Sequence, residues 1–442
     1  MIFTEAAPVT FDHAMEPEVD VVIIGAGVIG ISTAWHLAKA GIRTLVCEKG
    51  RVAGEQSCRN WGWVRQQGRD EAELPIMMES NAIWASLAAE IGEDLGFRQH
   101  GVIYTAETES EMSKHHQWVK LAASYGLESK ILSAVEIRQR VKGMEGNWLG
   151  GVVTESDGRA EPFVAVPALA RDCARRGVAI IENCAVRSLE FSAGRVSSVV
   201  TERGEVKCHS VICAGGAWSS IFLANVGFRF PQLTVRSTVA RTAVAPDFYR
   251  GNTSCSDLAI RRREDGGYTI APCFNEHLIN FDSFRFMPEF TPALTDVWSD
   301  MKLRLGADSP GGIWPGRRWQ PDQISPFEKT RVLNPPPAKS TLVALKQRFD
   351  KRMPGLRGVA IEQSWAGMID ATPDVVPVMD QLENFPGLFL ASGFSGHGFG
   401  IGPAVGRIMA DMVLGREIGH DMKRFRSSRF SDGSKLPRGP SL

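Results

Sequence analysis

The chain has 442 residues, 43% of them hydrophobic, with 50 lysines and arginines against 50 aspartates and glutamates. That length exceeds what one core usually supports, so two or more domains are expected, and a peptide or lone binding module is excluded. The balanced charge provides no global field to draw the chain to nucleic acid or to an anionic membrane surface.

The first 17 residues carry acids and two prolines, without the basic and apolar regions of a signal peptide, and read as a polar terminal arm. The apolar run from Val19 to Ala26 is far shorter than the ~20 residues that span a bilayer, so no transmembrane segment is expected. The eight cysteines include no C-x-x-C pair and no zinc-like histidine spacing, so no metal site is expected. Several stand inside apolar runs, which fits reduced thiols in a cytoplasmic protein.

Val21-Val22-Ile23-Ile24 reads as a buried strand, residues 25–30 as a turn, and residues 31–40 as a helix closed by Gly41. A second strand over 44–47 ends at Glu48, completing one β-α-β unit of a parallel sheet. Helical patterns follow at 74–95 and 110–125, then a helix at 165–176 and strands at 178–182, 186–191, 196–201 and 211–215. The turn Ser192-Ala193-Gly194-Arg195 predicts a hairpin. Alternating runs at 235–244 and 258–270, with Asp265-Gly266-Gly267 between, predict an antiparallel sheet in a different domain. Asn334-Pro335-Pro336-Pro337 marks its far edge, since that run can neither continue a helix nor sit in a central strand. A strand at 388–391 and a helix at 402–414 return the chain to β/α character, and the tail after Arg424 reads as poorly packed.

Gly25-Ala26-Gly27-Val28-Ile29-Gly30 lies between the first strand and the first helix. Its glycines suit a tight turn, close approach of a pyrophosphate and close helix packing, and the helix N-terminus favours negative charge. Glu48, ending the second strand, is placed to accept hydrogen bonds from an adenosine ribose. NAD and FAD both satisfy this much.

Three later stretches bear on the choice. Ser57-Cys58-Arg59-Asn60-Trp61-Gly62 follows Glu48, Val211 to Trp218 ends a later strand with Ala214-Gly215-Gly216, and Gly393-Phe394-Ser395-Gly396-His397-Gly398-Phe399-Gly400 opens the last helix. With Trp365-Ala366-Gly367, Thr372-Pro373-Asp374 and Arg429-Phe430, they resemble the flavin-contacting segments of the FAD-dependent D-amino acid oxidase superfamily, which includes glycine and sarcosine oxidases and D-amino acid dehydrogenases.

The resemblance implies an α/β, Rossmann-like FAD-binding domain built from residues 18–90, 150–228 and 345–430. An α+β substrate domain with an antiparallel sheet would comprise 91–149 and 229–344, with terminal arms at 1–17 and 431–442. It implies that Gly25, Gly27, Gly30, Glu48 and Lys49 hold the adenosine and pyrophosphate, and that Ser57, Arg59, Asn60, Trp61 and Gly62 run along the pyrophosphate and isoalloxazine. Val186 would contact adenine, Ala214, Gly215 and Trp218 would pass the adenosine side, and Gly393, Gly396, His397, Gly398, Phe399 and Gly400 would lie beneath the flavin. Glycines before a helix expose N–H groups that stabilise charge on a reduced flavin.

The chemistry implied is hydride removal from a carbon bearing an amine of an amino acid or secondary amine, with oxygen or a quinone as acceptor. Three residues are candidates for the catalytic site: Arg65 as a carboxylate anchor, His397 beside the flavin in a structural role, and Trp365. Arg65 alternatively forms a surface ion-pair network with Arg69 and Asp70. The lysine that sarcosine oxidases carry after G-H-G-F is replaced by Gly400, and the arginine that glycine oxidases carry after W-A-G is replaced by Met368-Ile369-Asp370. Asp370 either faces a substrate ammonium or caps nearby N–H groups. Gly367 stands where sarcosine oxidases attach FAD through cysteine, so non-covalent FAD is expected. His115-His116 and Arg261-Arg262-Arg263 read as solvated surface. An FAD-binding subunit or assembly factor without its own turnover is the alternative from another class, and an NAD-dependent dehydrogenase is disfavoured by the late glycine-rich segment.

Overall fold

The computed structural model describes residues 2–291, 301–315 and 318–437. Its parallel sheet is centred on the strand Val21–Ile24, which pairs with Thr44–Cys47 on one side and Ser210–Cys213 on the other. Ala179–Ile181 extends the sheet beyond Thr44–Cys47, and Leu388–Ser392 extends it beyond Ser210–Cys213. The antiparallel strand Val378–Gln381 closes that edge. These strands are short apolar runs because both faces are covered, leaving no solvent side to alternate toward. One face packs on the helices Val28–Lys39, Pro162–Arg175 and Gly398–Leu414, and the other on a core that includes the antiparallel strands between Val186 and Lys207.

A ten-stranded sheet forms the second layer system. Its central strand Leu233–Thr242 pairs antiparallel with Ile361–Ala371 along almost its whole length. This long strand carries the chain from the second sheet back to the first, where Val378–Gln381 and Leu388–Ser392 precede the glycine-rich turn and the last helix. Two pairs are parallel, Val102–Ala106 with Asn252–Cys255 and Asn275–Ile279 with Met301–Leu305, so the sheet is mixed rather than antiparallel throughout. Residue alternation reports a half-buried strand but not its direction, which is set by long crossovers.

Several expected boundaries move. Gly150–Thr154 pairs with Val102–Ala106 and Lys130–Ser133 in the second sheet, not with the parallel one. The helix Lys339–Arg352 buries Leu345 and Phe349 against Leu258, Ile260 and Ile270, so the triple-proline run does not end the second domain and 345 does not begin the return to the first. Residues 1–17 are not a loose arm: Phe11 is buried, and the Thr10 and Phe11 N–H groups donate to Glu182 Oε2 at 2.6 and 3.3 Å. The tail beyond Arg424 is packed as well, with Phe425 buried and Arg429 in a buried bidentate pair with Asp374 at 2.9 and 3.0 Å. Of the expected arm 431–442, residues 438–442 lie outside the described residues.

Arg261 and Arg263 are buried rather than solvated. Arg261 donates to both Glu161 oxygens at 2.8 and 3.1 Å, and Arg263 pairs with Asp265. Arg261 lies on the strand Leu258–Arg262 and Arg263 just past its end, and each meets a carboxylate. Cys47, Cys58, Cys173, Cys184, Cys208, Cys213 and Cys255 are buried free thiols. Among the described residues no helix is long and apolar enough to cross a membrane, and no group of three or more histidines, cysteines or carboxylates is placed to hold a metal ion.

Candidate active site

A cleft lies along the C-terminal ends of the parallel strands, with about 1200 Å³ of space between its walls and at its open mouth. At one end it is lined by Cys47, Glu48, Lys49, Ala185 and Val186, and at its middle by Gly25, Gly27, Val28, Ser57 and Asn60. Ala214, Gly215 and Trp218 form a side wall, and Gly396, Gly398 and Phe399 line the other end with Met368 and Asp370. Thirteen residues expected from the sequence to hold a cofactor therefore border one continuous space.

Local chemistry shapes its first half. Gly25 has φ +103°, a backbone state that L side chains rarely adopt, and a Cβ there would stand 2.6 Å from the Ala214 carbonyl oxygen. Gly30 does not line the cleft; a Cβ there would collide with the Gly25 carbonyl, so its role is close packing of helix on turn. Glu48 accepts the Ala26 N–H and the Gly50 N–H, both at 2.8 Å, and so fixes the glycine turn from the strand end. Burial pushes its carboxyl up to about 7. Ser57 Oγ accepts the first N–H of the helix, from Val28, at 2.8 Å. Lys49 has its ammonium engaged by Glu55 at 2.6 Å and by the Thr330 and Arg331 carbonyls, and it lies over the Trp218 ring, whose Nε1 donates to Glu55 as well. It bridges the cleft wall instead of offering a free cation.

Five residues expected at the site are turned elsewhere. Arg59 is fully buried and donates to the Gly54, Ala366 and Phe3 carbonyls and to Asn334 Oδ1, stitching the cleft floor to the long strand. Trp365 donates its Nε1 to the Arg59 carbonyl at 3.0 Å and packs edge-on to Phe163, so it supports the floor without lining the cleft. Trp61 and Gly62 stand just outside the cleft, and Trp61 meets Trp63 edge-on. The Gly393 N–H donates to Asp370, which removes it from the set of donors facing the cleft. The alternatives left open for Asp370 resolve to a cap: its Oδ2 accepts from Gly393, Phe394 and Ser392, and burial pushes its carboxyl up to about 6.

Beyond the glycine-rich turn the chain runs beside Trp63–Val64, and a Cβ at Gly400 would make ordinary contact, 3.4 Å, with both the Trp63 carbonyl oxygen and the Val64 Cα. Arg65 follows at once. It donates to the Gln67 carbonyl and lies over the Tyr104 ring, 5.7 Å from its centroid. The surface network expected as its alternative does not form: Asp70 pairs with Arg424 at 3.2 Å, and Arg69 is buried. Among the described residues Arg65 has no carboxylate within ion-pair distance. His397 does not line the cleft, because its buried ring faces Glu73, with Nδ1 3.4 Å from Oε2.

Sequence reasoning passed over Glu55, Glu73 and Asp157. Asp157 is fully buried and accepts the Gln66 and Gln67 N–H groups at 2.7 and 3.0 Å, holding the segment that carries Arg65; burial pushes its carboxyl up to about 6. None of the three has a local pattern to distinguish it from solvated surface.

This architecture has close counterparts. An L-amino acid deaminase from Proteus myxofaciens, solved in complex with anthranilate, superposes with a TM-score of 0.92 at 29% identity, covering 98% of this chain and all of that one. A probable sarcosine oxidase of Arabidopsis thaliana is 27% identical over 96% of this chain and 95% of its own length. The mitochondrial sarcosine dehydrogenase of Mus musculus is 24% identical over 93% of this chain, which spans only 41% of that protein. Residues 20–412 match the model of the FAD dependent oxidoreductase family, whose span takes in both sheets and every wall of the cleft, and the chain belongs to that family.

Proposed function

We propose that the chain oxidises the C–N bond of an amino acid or secondary amine, using FAD held non-covalently in the cleft and releasing an imine that hydrolyses to a carbonyl compound. The observation that carries this reading is the continuity of the cleft, from Glu48 and Val186 past the first helix to Gly396 and Phe399, a path with the two ends and the phosphate-facing middle that a dinucleotide needs. When bound, FAD supplies the hydride acceptor. Gly367 supports non-covalent binding, since a glycine has no thiol to form the link.

The chain's own residues then have separate tasks. Glu48 receives ribose hydroxyls while keeping the turn in place. Gly27, Val28 and Ile29 present the positive end of the first helix to phosphate. Gly398 and Phe399 present the start of a second helix to the other end of the cleft. Arg65 binds the substrate carboxylate with a planar guanidinium that no protein carboxylate occupies. Trp61 and Trp63 wall the approach and exclude water, which favours an amine in its neutral, hydride-donating form.

Anaerobic mixing of the purified protein with L- and D-amino acids, N-methyl amino acids and polyamines tests the reading. Bleaching of the flavin absorbance by at least one carboxylate-bearing amine is expected. Readmission of air, or addition of a quinone, identifies the electron acceptor. Bound flavin that no amine bleaches would overturn the proposal.

A further inference from the structure

Behind the glycine-rich turn lies a group of buried titratable side chains that the proposed chemistry leaves unused. Glu73, the first residue of the helix Glu73–Ile91, is fully buried, and neither carboxyl oxygen has a hydrogen-bond partner among the described residues. His397 is 3% exposed, and both of its ring nitrogens are likewise unpartnered. The two meet at 3.4 Å between His397 Nδ1 and Glu73 Oε2. Arg69, also buried, has an unpartnered Nη1 and donates through Nε only to the Arg65 carbonyl.

Such an arrangement is costly. A buried carboxylate with no donor loses the hydration that stabilises its charge, and so does an imidazole with no partner on either nitrogen. One proton reduces both costs, since a protonated carboxyl facing the imidazole satisfies a donor and an acceptor together. The position gives that proton a consequence. His397 lies between Gly396 and Gly398, both of which line the cleft, so the pair backs directly onto the end of the cleft where the last helix begins.

We propose that Glu73, with His397, holds one exchangeable proton behind the glycine-rich turn, and that losing this proton places a negative charge there which lowers the reduction potential of the bound flavin. Glu73 is thus a positioning residue for charge. The inference rests on the cleft holding FAD.

The groups around Glu73 fix the direction. Arg65 and Arg69 approach from the preceding segment, Arg424 from the C-terminal segment, Asp374 from the loop after the long strand, and His397 from the turn. Burial outweighs the arginines and pushes Glu73 up to about 7, while burial and the two nearby arginines hold His397 well below the usual histidine range. The imidazole stays neutral, and the carboxyl is the group that titrates near neutral pH.

The test is the flavin midpoint potential of the FAD-loaded protein, wild type and Glu73→Gln, at about pH 6 and about pH 8. Glutamine mimics the protonated carboxyl, so the two proteins should agree at the lower pH. At the higher pH the variant should be easier to reduce, shifting equilibrium with a reference dye severalfold toward reduced flavin. Glu73→Met, neutral and of similar length, replaces it should the glutamine variant not fold. An identical offset at both pH values, or none at either, overturns the proposal. Failure of the wild-type protein to take up added FAD would overturn the cofactor reading instead. The proton-holding pair is then tested in the apoprotein, where the difference in Tm between wild type and Glu73→Gln should widen between about pH 5 and about pH 8. A pH-independent difference would remove the pair.

Discussion

Gly393 donates its N–H to Asp370 Oδ2 at 2.7 Å, joining the end of the long strand Ile361–Ala371 to the turn that begins the last segment of the cleft. The same oxygen accepts from Phe394 at 3.3 Å. One carboxyl thus ties the second sheet to the glycine-rich turn, so the spacing between the two halves of the site depends on it.

Replacing Asp370 by alanine should cost about 1.5–3 kcal/mol, the range for losing hydrogen bonds to a charged group, read as a lowered urea midpoint. The pH dependence has a definite sign. Burial raises this carboxyl from 3.8 to about 6 in the folded protein, so the proton-linked part of its contribution is full below 3.8 and is lost as pH rises through 6, while the hydrogen bonds it accepts persist above that pH. Asp370→Ala should flatten the stability profile across that window, and an unchanged profile would count against the burial argument.

Gly27→Leu should abolish FAD retention. Even a Cβ there meets Ser57 Oγ at 3.0 Å, so the longer branches must enter the middle of the cleft. Flavin released per mole of protein on denaturation is the measurement, and full occupancy in the variant would remove the first glycine turn from the cofactor site.

Arg65→Met should raise KM for amino-acid substrates, at a cost of about 2–5 kcal/mol for a lost charge-assisted pair, and leave the visible spectrum unchanged. Amines without a carboxylate should be almost unaffected. Unchanged kcat/KM on the best carboxylate substrate would show that the anchor is elsewhere.

Acid precipitation of the holoprotein should leave the flavin in the supernatant, because position 367 is a glycine and has no side chain to attach the cofactor. Flavin in the pellet would point to a covalent link through another residue.

Arg429→Met should destabilise the protein by about 3–5 kcal/mol, since it leaves the fully buried Asp374 carboxylate without its bidentate partner. Chemical denaturation measures this. A loss below about 1 kcal/mol would mean that the C-terminal segment contributes little to the fold.

Much of this protein is legible in its sequence because the signals are local. A strand buried on both faces must be a short apolar run, and a turn that brings backbone to a phosphate must be glycine-rich, so Val21–Ile24, the turn at 25–30 and Glu48 are readable in place. The stretch from Gly393 to Gly400 is readable as a glycine-rich turn into the last helix, and the mixture of helices and sheets is readable too, but not the two parallel pairs that make the second sheet mixed. What the tertiary structure decided is the direction of side chains whose partners are distant in sequence. Arg59 looks like a cofactor ligand until Ala366 and Phe3 claim it, and Asp370 looks like a substrate contact until the turn folds back onto it. Glu73 carries no signal at all, because one of several acids at the head of a helix is ordinarily solvated. Only the packing of that helix against the last one buries it beside His397, and burial of a charge is a property of surroundings that no short stretch of sequence contains.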